Sequence, residues 1–185
     1  MAEQAWPGAL VNGAVLALAA AAACWAERPR GWADSRLLEV RTSSVPGAGR
    51  GVFCRAGVPS GAVLGAYPGR VRSPAQVLAK VATAPRTRDY VLLVPELPQP
   101  RYLDPTDASG CPSAWPGPGL PWLLQADPTL AFMNEPPAGG DVNVCFGEAL
   151  RGDPLEVRFV AARQLEAGQE LFIDYGRAYN RSSYA

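Results

Sequence analysis

From Leu37 onward the apolar positions come in short runs cut by Gly, Pro and polar residues. That spacing predicts strands rather than long helices. Residues 37–41 (LLEVR) read as a short strand and residues 46–51 (PGAGRG) as a turn-rich loop, with β character resuming over 52–54. A strand is expected at 63–67, after Pro59-Ser60-Gly61. Residues 74–82 have helical spacing, with Val77, Leu78 and Val81 placed on one face. Residues 90–94 (YVLLV) form a buried-strand pattern, and 101–104 a brief strand before Asp-Pro-Thr-Asp. Residues 109–121 are a Gly/Pro-rich insertion read as a surface loop. Strands are expected at 142–146 and 155–161, joined by a turn at 147–154. Residues 165–168 are a turn, and 170–175 (ELFIDY) close the domain. There is no internal repeat. The fold class that follows is mainly β, a β-rich α+β domain of several small sheets.

The first thirty residues stand apart. Residues 9–26 (ALVNGAVLALAAAAACWA) are apolar except for Asn12 and Gly13, at the lower edge of the roughly 20 residues a spanning helix needs. Much of the run is Ala, a strong helix former but a weak hydrophobe. The only early side-chain charge is Glu3, whereas a secretory signal opens on positive charge. Three readings stay open: a soluble helix or tail, a targeting segment, or an anchor with Arg28 and Arg30 on its flank. Membrane contact is expected only through this segment. The domain organisation is therefore residues 1–30 as an apolar N-terminal segment and 31–185 as one domain with a short tail.

Composition narrows the chemistry. The 185 residues carry 17 basic and 17 acidic side chains, so no net field draws nucleic acid, and direct nucleic-acid binding is not expected. Lys80 is the one lysine. The chain has no His, which excludes His-based acid/base catalysis, His metal sites and Ser-His-Asp triads. The four cysteines (Cys24, Cys54, Cys111, Cys145) show no C-x-x-C spacing. They argue against a metal site or a disulfide framework and for reduced thiols in an intracellular compartment, whether nucleus, cytoplasm or organelle.

Four motifs in fixed order carry the candidate function. The first is Gly49-Arg50-Gly51, a Gly-rich turn running into a strand, where backbone can approach a ligand closely. The second is Tyr67-Pro68-Gly69, read as a strand end and turn. The third is Phe132-Met133-Asn134-Glu135-Pro136, an apolar approach to a buried Asn, with Asn143 downstream. A buried Asn must satisfy both ends of its amide, and bracing a loop would do so as well as binding a ligand. The fourth, and longest, runs from Ala161 to Gly176 (AARQLEAGQELFIDYG) and ends in the Gly168–Gly176 stretch.

Together these motifs resemble the SET domain of protein lysine methyltransferases, over about Leu37 to Gly176. The resemblance implies a SET fold of small sheets with a pseudoknot-like C-terminal segment. It also implies S-adenosyl-L-methionine as cofactor and a protein or peptide lysine as substrate. By that resemblance Gly49, Arg50, Gly51 and Asn134 would hold the methionine part of the cofactor. The backbone around Glu135 would meet the adenine, and Tyr67 would sit near the pocket. Tyr175 would line the lysine channel with its hydroxyl toward the transferring methyl, and Tyr90 would form a second wall. The chemistry needs orientation and a neutral amine rather than a metal or imidazole.

The chain departs from the family in three places. Glu135 replaces the usual His, where its carboxylate can take a hydrogen bond from adenine or from a neighbouring amide. Pro136-Pro137 replaces Ser-Cys. No Cys-rich zinc module follows Tyr175; two readings of the short tail with Tyr179 and Tyr184 stay open, one that it folds over the site as the missing aromatic wall and one that it is a frayed terminus. Two other readings remain: a non-catalytic SET-like interaction module that has lost cofactor binding, and a cofactor-binding domain held at a membrane by residues 9–26.

Overall fold

The structure, a computed structural model, describes residues 30–94, 99–114, 126–146, 156–176 and 179. The N-terminal segment, the 147–154 turn, most of the 109–121 insertion, Cys24 and Tyr184 lie outside these residues.

The described strands are β1 (Arg30–Ala33), β2 (Leu38–Thr42), β3 (Arg50–Cys54), β4 (Val63–Arg72), β5 (Leu92–Val94), β6 (Arg101–Asp104), β7 (Val144–Phe146) and β8 (Arg158–Ala161). One sheet runs in the order β5-β6-β4-β8-β7, with β1 also paired to β4; β2 and β3 form a separate hairpin. All of these pairings are antiparallel. The chain thus has the β-rich architecture of small sheets that its hydrophobic pattern predicts. Two 3-10 turns, Pro85–Asp89 and Thr129–Phe132, connect them.

The core lies between the sheets. Phe159, Leu64, Leu130, Leu165, Leu171, Val52 and Val58 are fully buried within it. Each such Leu or Phe contributes about 1.5–3 kcal/mol of burial free energy.

Three local expectations change. Tyr67-Pro68-Gly69 is strand interior, not a turn, because β4 continues to Arg72. Pro68 has no N–H to give a ladder, and β4 changes partners around it. Before Pro68 it pairs with β8, and from Arg70 on it pairs with β6.

The single helix among the described residues, α1 (Pro74–Thr83), starts with a capping box of Ser73 and Gln76 and has Pro at its first turn. Its inward face keeps Val77 and Val81 of the expected three but not Leu78. Val77 is buried but Leu78 is 73% exposed. The face that turns in carries Val77, Lys80, Val81 and Ala84, the i, i+3, i+4, i+7 set. Lys80 reaches the buried Asp104, 2.7 Å away, and Arg72 joins the same carboxylate oxygen at 2.8 Å.

The last stretch is not a ladder strand. It touches its neighbours through isolated bridges, Phe53 with Glu170 and Asn134 with Phe172. On one side Cys54 N–H donates to Gln169 O (2.9 Å) and Leu171 N–H to Val52 O (2.8 Å). On the other, Asn143 and Val144 N–H both donate to Phe172 O (3.1 Å each), and Ile173 N–H to Asn134 O (3.0 Å). The C-terminal segment is threaded between β3 and the 134 and 143–144 stretches, a pseudoknot-like arrangement. Asn143, 1% exposed, fastens it: Nδ2 donates to Glu170 O and Oδ1 accepts from Phe172 N–H, both at 2.8 Å.

Candidate functional site

The threaded segment brings the sequence motifs together. The loop between β2 and β3 turns back on itself through Ser43 N–H donating to Gly49 O, 2.9 Å. Gly49 has φ +74°, and a Cβ there would meet nothing within 4 Å, so its requirement is conformational. Gly51 differs. A Cβ there would stand 2.1 Å from Glu170 Oε1 and 3.3 Å from Asn134 Nδ2. The close approach expected of this glycine is made by the protein's own carboxylate.

Asn134, 5% exposed, is the junction. Its Nδ2 reaches Arg50 O at 2.9 Å, Ser43 Oγ at 3.1 Å and Glu170 Oε1 at 3.3 Å. A carbonyl and a carboxylate on that side fix which end is NH2, since a flipped amide would set oxygen against oxygen. Among the described residues Oδ1 has no hydrogen-bond partner.

Glu135 lies beside it, half-buried. Its Oε1 accepts from Tyr175 N–H at 2.9 Å, so the residue standing in for His engages a neighbouring amide. The Tyr175 hydroxyl donates to Met133 O at 2.6 Å. Tyr175 is therefore held at both ends by the chain around Asn134.

Phe132 joins a second group to this one. The Arg50 guanidinium lies 3.7 Å from the Phe132 ring centroid, a cation–π contact. Tyr90 meets the same ring edge-on, with centroids 6.5 Å apart. The Tyr67 hydroxyl donates to Tyr90 O at 2.5 Å. Burial pushes the Tyr67 phenol far above its ordinary range, and Asp104, Tyr90 and Tyr179 add to the shift. Tyr67 is thus a neutral donor, not a base. Tyr179 packs on Tyr175, with ring centroids 4.5 Å apart and planes inclined at 59°. The tail thereby contributes an aromatic ring beside Tyr175.

All eight predicted site residues fall in this neighbourhood. Gly49 shapes the loop, Arg50, Gly51, Asn134, Glu135 and Tyr175 form one connected set, and Tyr90 and Tyr67 join it through Phe132. Sequence reasoning missed Ser43, Ser44 and Glu170. Ser43 and Ser44 precede a Gly/Pro-rich turn and read as loop. Glu170 stands in the fourth motif and in the 170–175 segment, with no site role read for it. The one available signal was strand alternation, which sets Glu170 on the same face as Phe172.

None of these residues lines the cavity of about 300 Å3 between β4, α1 and β6, which is bordered by Gly69, Arg72, Lys80, Asp104, Thr106 and Ser113. Its central charges are already engaged with one another. Among the described residues no group of three or more His, Cys, Asp or Glu side chains can hold a metal ion. Cys54, Cys111 and Cys145 are free thiols. No helix among the described residues is long and apolar enough to cross a membrane.

The sequence matches no protein-family model and no curated protein. By structure the chain is similar to Polycomb Repressive Complex 2 chains from Chaetomium thermophilum. The crystal structure of that complex gives a TM-score of 0.53 at 16% identity, over 79% of this chain and 16% of that one. Its autoinhibited form bound to S-adenosylmethionine gives 0.53 at 16% identity, over 77% and 15%. A humanized mutant bound to the inhibitor GSK343 gives 0.52 at 18% identity, over 80% and 16%. Those chains contain a SET domain, and the likeness shows a SET-like fold. The chain spans about 16% of their length.

Proposed function

We propose that this SET-like module is an S-adenosyl-L-methionine-dependent methyltransferase acting on a protein or peptide lysine. The observation that carries the reading is the state of Asn134. Three acceptors hold its NH2 while Oδ1 has no protein partner among the described residues. An amide oxygen left open on an otherwise buried, anchored side chain is an acceptor that a ligand's donor can use. Arg50, stacked on Phe132, forms no ion pair or hydrogen bond through its guanidinium among the described residues and suits a carboxylate. The open acceptor of Asn134 and the guanidinium of Arg50, the residue whose carbonyl holds Asn134 Nδ2, suit the amino and carboxylate groups at the amino-acid end of the cofactor.

The bound cofactor supplies a methyl group already activated on a sulfonium, so the protein's part is orientation and electrostatics. Tyr175, Tyr179, Tyr90 and Tyr67 form an aromatic group that fits a lysine stem. Low-polarity surroundings favour the neutral amine that such a reaction needs. The structures of similar fold belong to multi-subunit complexes, which agrees with a protein substrate.

A non-catalytic SET-like module is the second reading. It is favoured by Glu135, which replaces the family's His and gives its carboxylate to Tyr175 N–H. Labelled-methyl transfer from S-adenosylmethionine to lysine-containing proteins, compared between the full chain and Tyr175→Phe, separates the two. Transfer that falls at least tenfold in the variant supports the enzyme. A folded wild-type chain that shows neither cofactor binding nor transfer supports the module.

A further inference from the structure

Glu170 lies within the fourth motif, yet no role was read for it there. It is 5% exposed and forms no ion pair among the described residues. A carboxylate removed from water needs a cation or a full set of donors. Glu170 has the donors. Oε1 accepts from Ser43 Oγ at 2.6 Å and Asn134 Nδ2 at 3.3 Å, and Oε2 accepts from Ser44 N–H at 2.7 Å and Ser44 Oγ at 2.5 Å. One end of this network is the β2–β3 loop and the other is Asn134. Gly51 leaves the space the carboxylate fills.

We infer that Glu170 is the positioning residue of the site. Its carboxylate locks the β2–β3 loop and Asn134 into the one arrangement that presents Oδ1 as a free acceptor. A free acceptor with a buried negative charge behind it selects a donor, best a cationic one such as an α-ammonium group, and rejects an anion at that point. The inference rests on the reading of this site as a cofactor site and adds which residue sets its charge preference.

The test uses the full chain and Glu170→Gln, which keeps the size but turns an amide NH2 toward groups that are themselves donors. Two readouts are taken: hydrogen exchange of the Asn134 side-chain amide by NMR, and calorimetric titration with S-adenosylmethionine. The expected result is exchange at least tenfold faster and a Kd at least tenfold weaker in Glu170→Gln. Ser43→Ala is the milder variant, should Glu170→Gln fail to fold. It should weaken Kd about threefold and add nothing further to Asn134→Ala. A folded Glu170→Gln with wild-type exchange and wild-type Kd overturns the inference and leaves the cofactor reading standing. Faster Asn134 exchange in a protein that binds no S-adenosylmethionine upholds the positioning role and refutes the cofactor reading instead.

Discussion

Replacing Asn143 with alanine should unfasten the threaded C-terminal segment. The side chain is 1% exposed and makes two bonds, to Glu170 O and from Phe172 N–H. Truncation leaves both backbone groups buried without those partners, and each such group costs about 1–3 kcal/mol. The sum is about 4 kcal/mol, a large share of the roughly 5–15 kcal/mol that holds a domain together. With a urea slope of about 2 kcal/mol/M, the unfolding midpoint should fall by about 2 M. Ser60→Ala is the control. It removes one exposed 3.4 Å bond to Ala162 O and should change stability by less than about 0.5 kcal/mol. Equilibrium urea unfolding followed by tryptophan fluorescence reads both. A loss below about 1 kcal/mol for Asn143→Ala would mean that water replaces the side chain and that the segment is held by packing alone.

Two further outcomes follow from the charged network on α1 and β6. Burial alone would raise the Asp104 pKa, but hydrogen bonds from Lys80, Thr106 and Arg72 outweigh it and hold the group below its ordinary 3.8. Its stabilisation is therefore complete above the unfolded value and is lost as pH falls through the folded one, so the thermal midpoint should drop below about pH 4. Asp104→Asn should flatten that acid limb, and an unchanged slope would remove Asp104 as its cause. Lys80, the chain's one lysine, donates three bonds of 2.7 Å to Asp104 and Thr106. Amine-reactive labelling of Lys80 should be at least tenfold slower in the native protein than in urea. Mass spectrometry after a methyl-transfer reaction should find no methyl on this chain, whereas methylated Lys80 would show that the network opens.

Much of the framework is readable from period and punctuation. The alternation at 37–41 and the glycines that follow give the β2–β3 hairpin, and the Ser73-Pro74 start gives α1. The failures share a cause, which is that remote partners decide them. Pro68 reads as a turn because local rules cannot see that β4 exchanges β8 for β6 around it. Lys80 and Leu78 trade places because the helix turns inward toward a buried carboxylate, a stronger demand than one more apolar contact. Residues 170–175 read as a strand yet form only bridges, since their neighbours come from three separated stretches of chain. The candidate site residues stand in motifs in order, and the structure brings those motifs together. Glu170 lies in one of them, but its role was not readable, because a buried carboxylate satisfied by hydroxyls and amides leaves no hydrophobic or charge-pair signal in the sequence.

The most direct test of the account is calorimetric titration of the full chain with S-adenosylmethionine, alongside Asn134→Ala. The account predicts binding in the micromolar range that is lost when Oδ1 and the bonds of Nδ2 are removed. A well-folded wild-type chain that releases no binding heat, or an Asn134→Ala variant that binds as tightly as wild type, would contradict it.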